Sequence, residues 1–261
     1  PETFAQMQRA HELSRASGRT PQLVPVLWGM VVYHIASGQA PRAHAYAEEM
    51  LAIAADAGQP MLTAMAESAM SGAALFRGEL ARAIASQRRA EAIATPELRR
   101  TMRAIVGSDP LMLSRCQSAR ALYYSGQVDE ARALFERSMA DAQASRDPRE
   151  RAHVALHLAE FELYVGDPAA AERVAVEALR ACDEYGVVSE RLWTAAYLGA
   201  AQVRLGRLEA GIATLRETIG VQLAVQSLVC SGEYHGFLAE ALLAAGDPIS
   251  ARATVDEALA Y

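Results

Sequence analysis

The sequence predicts an all-α fold, an array of antiparallel helix pairs with a period of about 40 residues. Three observations carry this expectation. Alanine supplies 55 of the 261 residues, and a core built from such small side chains favours helix packed closely on helix. Ten prolines, 17 glycines and no asparagine leave little turn chemistry for a many-stranded β protein. Most telling, glycines that end apolar helical runs recur as Gly38, Gly78, Gly126, Gly166, Gly206 and Gly246, at intervals of 40, 48, 40, 40 and 40.

The neighbours of these glycines repeat too. Five residues later stand Ala43, Ala83, Ala131, Ala171, Gly211 and Ala251, all small. Seven earlier stand Val31, Ser71, Ala119, Ala159, Gly199 and Ala239, mostly small. Eight earlier stand Met30, Met70, Ser118, Leu158, Leu198 and Leu238, apolar in five cases of six. A hairpin explains all four columns. The glycine closes the first helix in a left-handed conformation that costs it little. The two small columns sit where the paired backbones cross, and large side chains there would wedge them apart.

Taken in order, the chain opens with a helix over 3–17, read as the second half of a hairpin whose partner lies upstream. Phe4, Met7 and Leu13 give it an apolar face, which suggests end-to-end homodimerisation or capping by a neighbouring domain. Breaks at Gly18–Pro21, Gly58–Pro60, Asp147–Pro148 and Gly186 alternate with the turn glycines, and prolines stand at helix starts where a missing N–H is harmless. Helices are expected at 21–37, 41–57, 60–77, 80–93, 110–125, 128–145, 148–165, 168–185, 188–205, 208–224, 227–245 and 248–260. Asp167 and Asp247, each before a proline, are placed as N-caps. The expected architecture is one domain over 1–261, with a leading half-repeat at 1–20, six pairs over 21–261 and about 13 helices.

The 48-residue interval holds an irregular insertion near 95–109, TPELRRTMRAIVGSD. Pro96 opens a short extra helix bearing Arg99, Arg100 and Arg103, ended by Gly107. It reads either as a basic elbow for an anion or another domain, or as a loop helix with a solvated face.

Composition removes several function classes. A net charge of −6 argues against general nucleic-acid binding, which needs a basic surface. All 25 basic residues are arginine, so chemistry requiring a lysine in this segment is excluded. Three scattered cysteines without CxxC spacing read as reduced thiols of a cytoplasmic protein. No apolar run approaches a bilayer span, and no signal peptide precedes the helical sequence. The chain begins at Pro1 rather than Met, as expected of a segment of a longer protein.

The span Tyr124-Ser-Gly-Gln-Val-Asp-Glu-Ala131, followed by Phe135, resembles the turn and second helix of the tetratricopeptide (TPR) repeat. The usual TPR period is about 34 residues, so forty implies nearly one extra turn per helix; HEAT repeats share the longer period but match the columns less well. The resemblance implies a right-handed α-solenoid. TPQLVPVLWGM (20–30), GSDPLMLSRCQSARALYYSGQVDEA (107–131), YLGAAQVRLGRLEAGIATLRETI (197–219) and YHGFLAEALLAAGDPISARATVDEAL (234–259) are similar to the C-terminal repeats of large bacterial signalling ATPases. Those proteins often carry a class III adenylate/guanylate cyclase or a Ser/Thr kinase at the N-terminus. The resemblance implies sensing or protein interaction in the repeats, not catalysis, and no cyclase or ATPase motif occurs here.

His153, His157 and Glu160 share a helix face with conceivable metal spacing, but HVALH lacks the HExxH base and no further ligand cluster appears. There is no GxSxG nucleophile elbow. The expectation is no catalytic residue, no metal and no cofactor. In the TPR register, first-helix groove positions lie thirteen, ten, six, three and two residues before each turn glycine. They give Trp28, Arg120, Tyr123, Tyr124, His153, Glu160, Tyr164, Trp193, Arg204 and Glu240, a set rich in the aromatics and arginine that anchor interfaces. Trp28 and Tyr123 are equally at home in an inter-repeat core. The groove would hold a protein, a peptide or an upstream domain, with a small-molecule pocket as the alternative and Arg120, His153, Glu160 and Trp193 as its patch.

Overall fold

A computed structural model describes residues 2–16 and 23–260, with side chains described in the first helix for 5–13. The break expected at Gly18–Pro21 and the side chain of Phe4 lie outside the described residues. Fourteen helices run along the described chain: α1 (Glu2–Ala16), α2 (Leu23–Ala36), α3 (Ala40–Ala57), α4 (Pro60–Phe76), α5 (Leu80–Ile93), α6 (Pro96–Val106), α7 (Pro110–Tyr124), α8 (Val128–Ser145), α9 (Pro148–Tyr164), α10 (Pro168–Tyr185), α11 (Val188–Arg204), α12 (Leu208–Ala224), α13 (Ser231–Ala244) and α14 (Pro248–Ala258). No strand occurs among the described residues. The expected thirteen become fourteen because the insertion forms α6 as a full helix.

Two compact units divide the chain, Pro1–Ser138 and Met139–Tyr261. Within the first, α2 packs on α3 and α4, α4 on α5 and α7, and α5 on α7. Within the second, α9 packs on α10 and α11, α11 on α12 and α13, and α13 on α14. Within each unit, α2, α4, α9 and α11 thus each touch their own second helix and the next first helix, in TPR-like antiparallel packing.

The turn glycines all take positive φ, from 70° at Gly38 to 92° at Gly166, a region costly for a residue with a Cβ. Aspartates and a threonine finish the helix starts. Asp167 accepts from Ala170 N at 2.8 Å and Asp247 from Ser250 N at 3.0 Å. Asp109, Asp147 and Thr95 cap α7, α9 and α6 in the same way.

One boundary differs from expectation. The helix expected from 227 begins at Ser231, because Gln226 and Cys230 are left-handed at φ 57° and 56°. The buried Gln222 side chain holds this loop by donating to Val229 O at 2.6 Å.

Both small columns are buried without exception. Ala43, Ala83, Ala131 and Ala171 are fully excluded from solvent, as are Ser71, Ala119 and Ala159. The crossing of α11 on α12 is close. A Cβ added at Gly211 would stand 2.7 Å from Gly199 O and 2.5 Å from Val203 Cγ2. At the equivalent crossing of α4 and α5, the Ser71 hydroxyl donates to Ala83 O at 2.9 Å.

The insertion folds inward. α6 packs against α2, α4 and α7, the three first helices of its unit, and buries Met102 completely. Its arginines turn to carboxylates of the same segment. Arg99 donates to Asp109 Oδ2 at 2.6 and 2.8 Å, Arg103 lies 3.7 Å from the same oxygen, and Arg100 donates to Glu97 at 3.0 Å. The insertion is thus an internally paired helix that packs its inner face on its own unit and keeps a solvated outer face.

Candidate binding face on the first helices

In the first unit the groove residues fall on α2 and α7. Trp28 is buried at 7 % exposure among the core residues. Arg120, also buried, sets its guanidinium 5.4 Å from the Phe76 ring centroid and 5.9 Å from that of Tyr124. It donates to Gln117 Oε1 at 3.2 Å, so the cation is held in place by α4 and α7. Tyr123 and Tyr124 stack at a tilt with centroids 5.2 Å apart; Tyr123 is half-buried and Tyr124 exposed.

The second unit carries a denser arrangement on α9, α11 and α13. His153 and His157, one turn apart on α9, meet edge to face at 4.8 Å. Each turns to a carboxylate: His157 Nδ1 lies 3.1 Å from Glu160 Oε2, and His153 Nδ1 lies 3.7 Å from Glu190 Oε1 on α11. The second distance is an ion-pair approach, too long for a hydrogen bond, and both ring nitrogens of His153 are buried without a hydrogen-bond partner. Burial alone would push the Glu190 carboxyl up. The neighbouring His153 imidazole and the Ser189 hydroxyl outweigh it and hold that carboxyl at about 2.

Further along the same face, Glu233 of α13 accepts from two tyrosines. The Tyr164 hydroxyl donates to one oxygen and the Tyr197 hydroxyl to the other at 3.3 Å. Burial, followed by the Glu160 and Glu233 charges, raises Tyr197 well above the ordinary phenol range, so it stays a donor. Trp193 is half-buried against the core and donates from Nε1 to Ser227 Oγ at 3.3 Å. Arg204 donates to Leu163 O at 3.0 Å and reaches within 3.9 Å of Glu240, leaving both side chains open to solvent.

Among the described residues no group of three or more His, Cys, Asp or Glu side chains is arranged to hold a metal. Nor is any helix of the described residues long and apolar enough to cross a membrane.

Glu190 and Glu233 were absent from the sequence-derived set, though the register pointed to Glu233. Glu233 occupies the thirteen-before column already marked by His153 and Trp193, and Glu190 stands sixteen before Gly206 as Glu150 does before Gly166.

Residues 232–257 match the tetratricopeptide repeat family. In fold, the chain is similar to TPR-like repeats of a kinesin light chain from Podosopora anserina, covering 79% of this chain and 97% of that one at 19% identity and TM-score 0.53. A second structure of those repeats gives 18% identity, 77% and 95% coverage, and TM-score 0.50. The chain has a TPR-like helical-repeat fold. It is similar as well to a Signal Transduction ATPase with Numerous Domains (STAND protein) from Pyrococcus horikoshii that has a tetratricopeptide repeat sensor, at 13% identity and TM-score 0.57. That likeness covers 93% of this TPR-like chain and spans 37% of the STAND protein. No curated protein matches the chain.

Proposed function

We propose that this TPR-like chain is a non-catalytic interaction or regulatory sensor module of a larger bacterial signal-transduction protein. It holds a peptide, a partner protein or a neighbouring domain on the first-helix face of its second unit. The observation that carries this is the set Tyr164, Trp193 and Arg204. Tyr164 and Trp193 are half-buried and Arg204 is exposed, while internal hydrogen bonds fix all three in place. Aromatics and arginine pre-organised in this way give binding energy at low entropic cost. In the first unit α6 packs against the corresponding helices, so the second unit offers the freer face. The likeness to a STAND protein with a repeat sensor supports the signalling context.

Peptides selected from a random library against residues 1–261 test the reading. They are expected to bind saturably, to shift the emission of Trp193, and to lose roughly tenfold or more in affinity with Trp193→Ala or Arg204→Ala. A selection that yields no binder, or binders indifferent to both changes, would count against it. One observation favours a small-molecule ligand on the same face, the ring Nε2 of buried His153, which makes no hydrogen bond. Metabolite binding lost in His153→Phe, with peptide binding absent, would select that alternative.

A further inference from the structure

The eight-before column has one polar member. Where the other repeats place Met30, Met70, Leu158, Leu198 or Leu238, the third places Ser118. The missing side-chain volume is not refilled. A cleft of about 200 Å³ opens there among α5, α7 and α8, lined by Gln87, Arg88, Glu91, Arg115, Ser118, Leu122, Glu130, Leu134 and Arg137. It belongs wholly to the first unit.

Its lining is chemically uneven. Leu122 and Leu134 supply apolar wall at 2 % and 5 % exposure. The Ser118 hydroxyl is buried, with the residue 1 % exposed, and has no hydrogen-bond partner. Most helical serines so deeply buried return their hydroxyl to a carbonyl one turn back, as Ser138 does to Leu134 O at 2.8 Å. Gln87, 4 % exposed, stands beside it.

Three arginines face two glutamates. Arg115 forks onto Glu91, and Arg88 donates to Glu130 at 2.5 Å. Arg137 has neither an ion pair nor a hydrogen bond among the described residues. The lining therefore carries one arginine more than its glutamates answer, together with an unanswered hydroxyl.

We propose that this cleft binds a small organic anion through one oxyanion group, a carboxylate or a phosphate ester. Arg137 takes the charge, because a guanidinium presents a planar fork that matches either group. Ser118 and Gln87 hydrogen-bond the polar remainder, and Leu122 with Leu134 receives its carbon skeleton. Arg115 and Arg88 are held at the rim by their glutamates and shape the opening. The volume is below that of ordinary drug-sized pockets, which sets the ligand at the scale of a small metabolite rather than a peptide.

Calorimetric titration of residues 1–261 with inorganic phosphate and with succinate, at constant ionic strength, tests the assignment. One equivalent of either probe is expected to bind saturably. Binding of phosphate alone identifies the phosphate ester, and binding of succinate alone the carboxylate. Arg137→Gln is expected to weaken it by roughly tenfold or more, the loss of one charge-assisted contact. Ser118→Leu restores the side chain that other repeats carry. It is expected to abolish binding while leaving the thermal midpoint unchanged or raised. If Ser118→Leu instead unfolds the unit, Arg137→Gln alone decides the matter. Absence of saturable binding by both probes overturns the proposal, and so does binding that neither substitution alters.

Discussion

Substituting alanine for Gly211 tests whether close helix crossing, rather than helix propensity, governs the small columns. On propensity alone the change should help, since alanine in a helix interior is favoured over glycine by about 0.8–1 kcal/mol. The crossing opposes it. The new methyl would stand 2.5 Å from Val203 Cγ2, 2.7 Å from Gly199 O and 3.0 Å from Val203 N. A side chain can rotate away, but the carbonyl and the amide belong to the backbone of α11 and can yield only if the helices part. Overpacking of this kind costs about 1–3 kcal/mol, and two backbone clashes place Gly211→Ala near the upper end. The net expectation is destabilisation by about 2 kcal/mol. Gly220, in the same helix, has no atom within 4 Å of an added Cβ. Gly220→Ala should therefore stabilise by up to about 1 kcal/mol, leaving the two variants ~3 kcal/mol apart. Urea unfolding followed by circular dichroism reads the difference as opposite shifts of midpoint at similar slope. Equal or same-signed shifts would refute the crossing argument.

Two further outcomes follow from charges. Glu190 is held at about 2, below its ordinary 4.5, so the stability it contributes is complete above pH 4.5 and disappears as pH falls toward 2. At about 1.4 kcal/mol per pH unit that is ~3 kcal/mol. Glu190→Gln should remove this part of the acid sensitivity, seen in urea midpoints measured across that window. Asp109 is fully buried between Arg99 and Arg103 and caps α7, so Asp109→Ala should cost about 3 kcal/mol. Asp109→Asn, which keeps a capping oxygen, should recover about 1 kcal/mol of that in the same assay.

The regular part of the fold was readable because glycine and proline punctuate it. Every turn glycine takes positive φ, and Pro60, Pro96, Pro110, Pro148, Pro168 and Pro248 each begin a helix. Reading failed at 226–230, where Gln226 and Cys230 adopt the left-handed region without a glycine to announce it. The inward face of α6 was also hidden. Its three arginines dominate the sequence, whereas a single methionine, Met102, and the buried Asp109 decide how it docks. At the candidate face, the register located His153, Glu160, Tyr164, Trp193 and Arg204. It did not show that His153 answers Glu190, or that Tyr164 and Tyr197 converge on Glu233, because those pairs join helices about 36 to 69 residues apart. Trp28 was ambiguous for a related reason: a first-helix position faces a groove only where nothing else of the chain packs against it.

The left-handed glycine turns make the length of this chain quantised. An added Cβ at Gly78, Gly126, Gly166, Gly206 or Gly246 would meet nothing within 4 Å, so each turn is a free joint set by its own backbone. Joining Gly166 directly to Arg207, with residues 167–206 excised, would bring Ala159 opposite Gly211, two small residues at a crossing. Excising thirty-nine or forty-one would instead rotate every later helix by about 100° and set large side chains against one another. Segments of this molecule are expected to exchange in units of forty, and the eight residues that break the count are accommodated by a helix of their own.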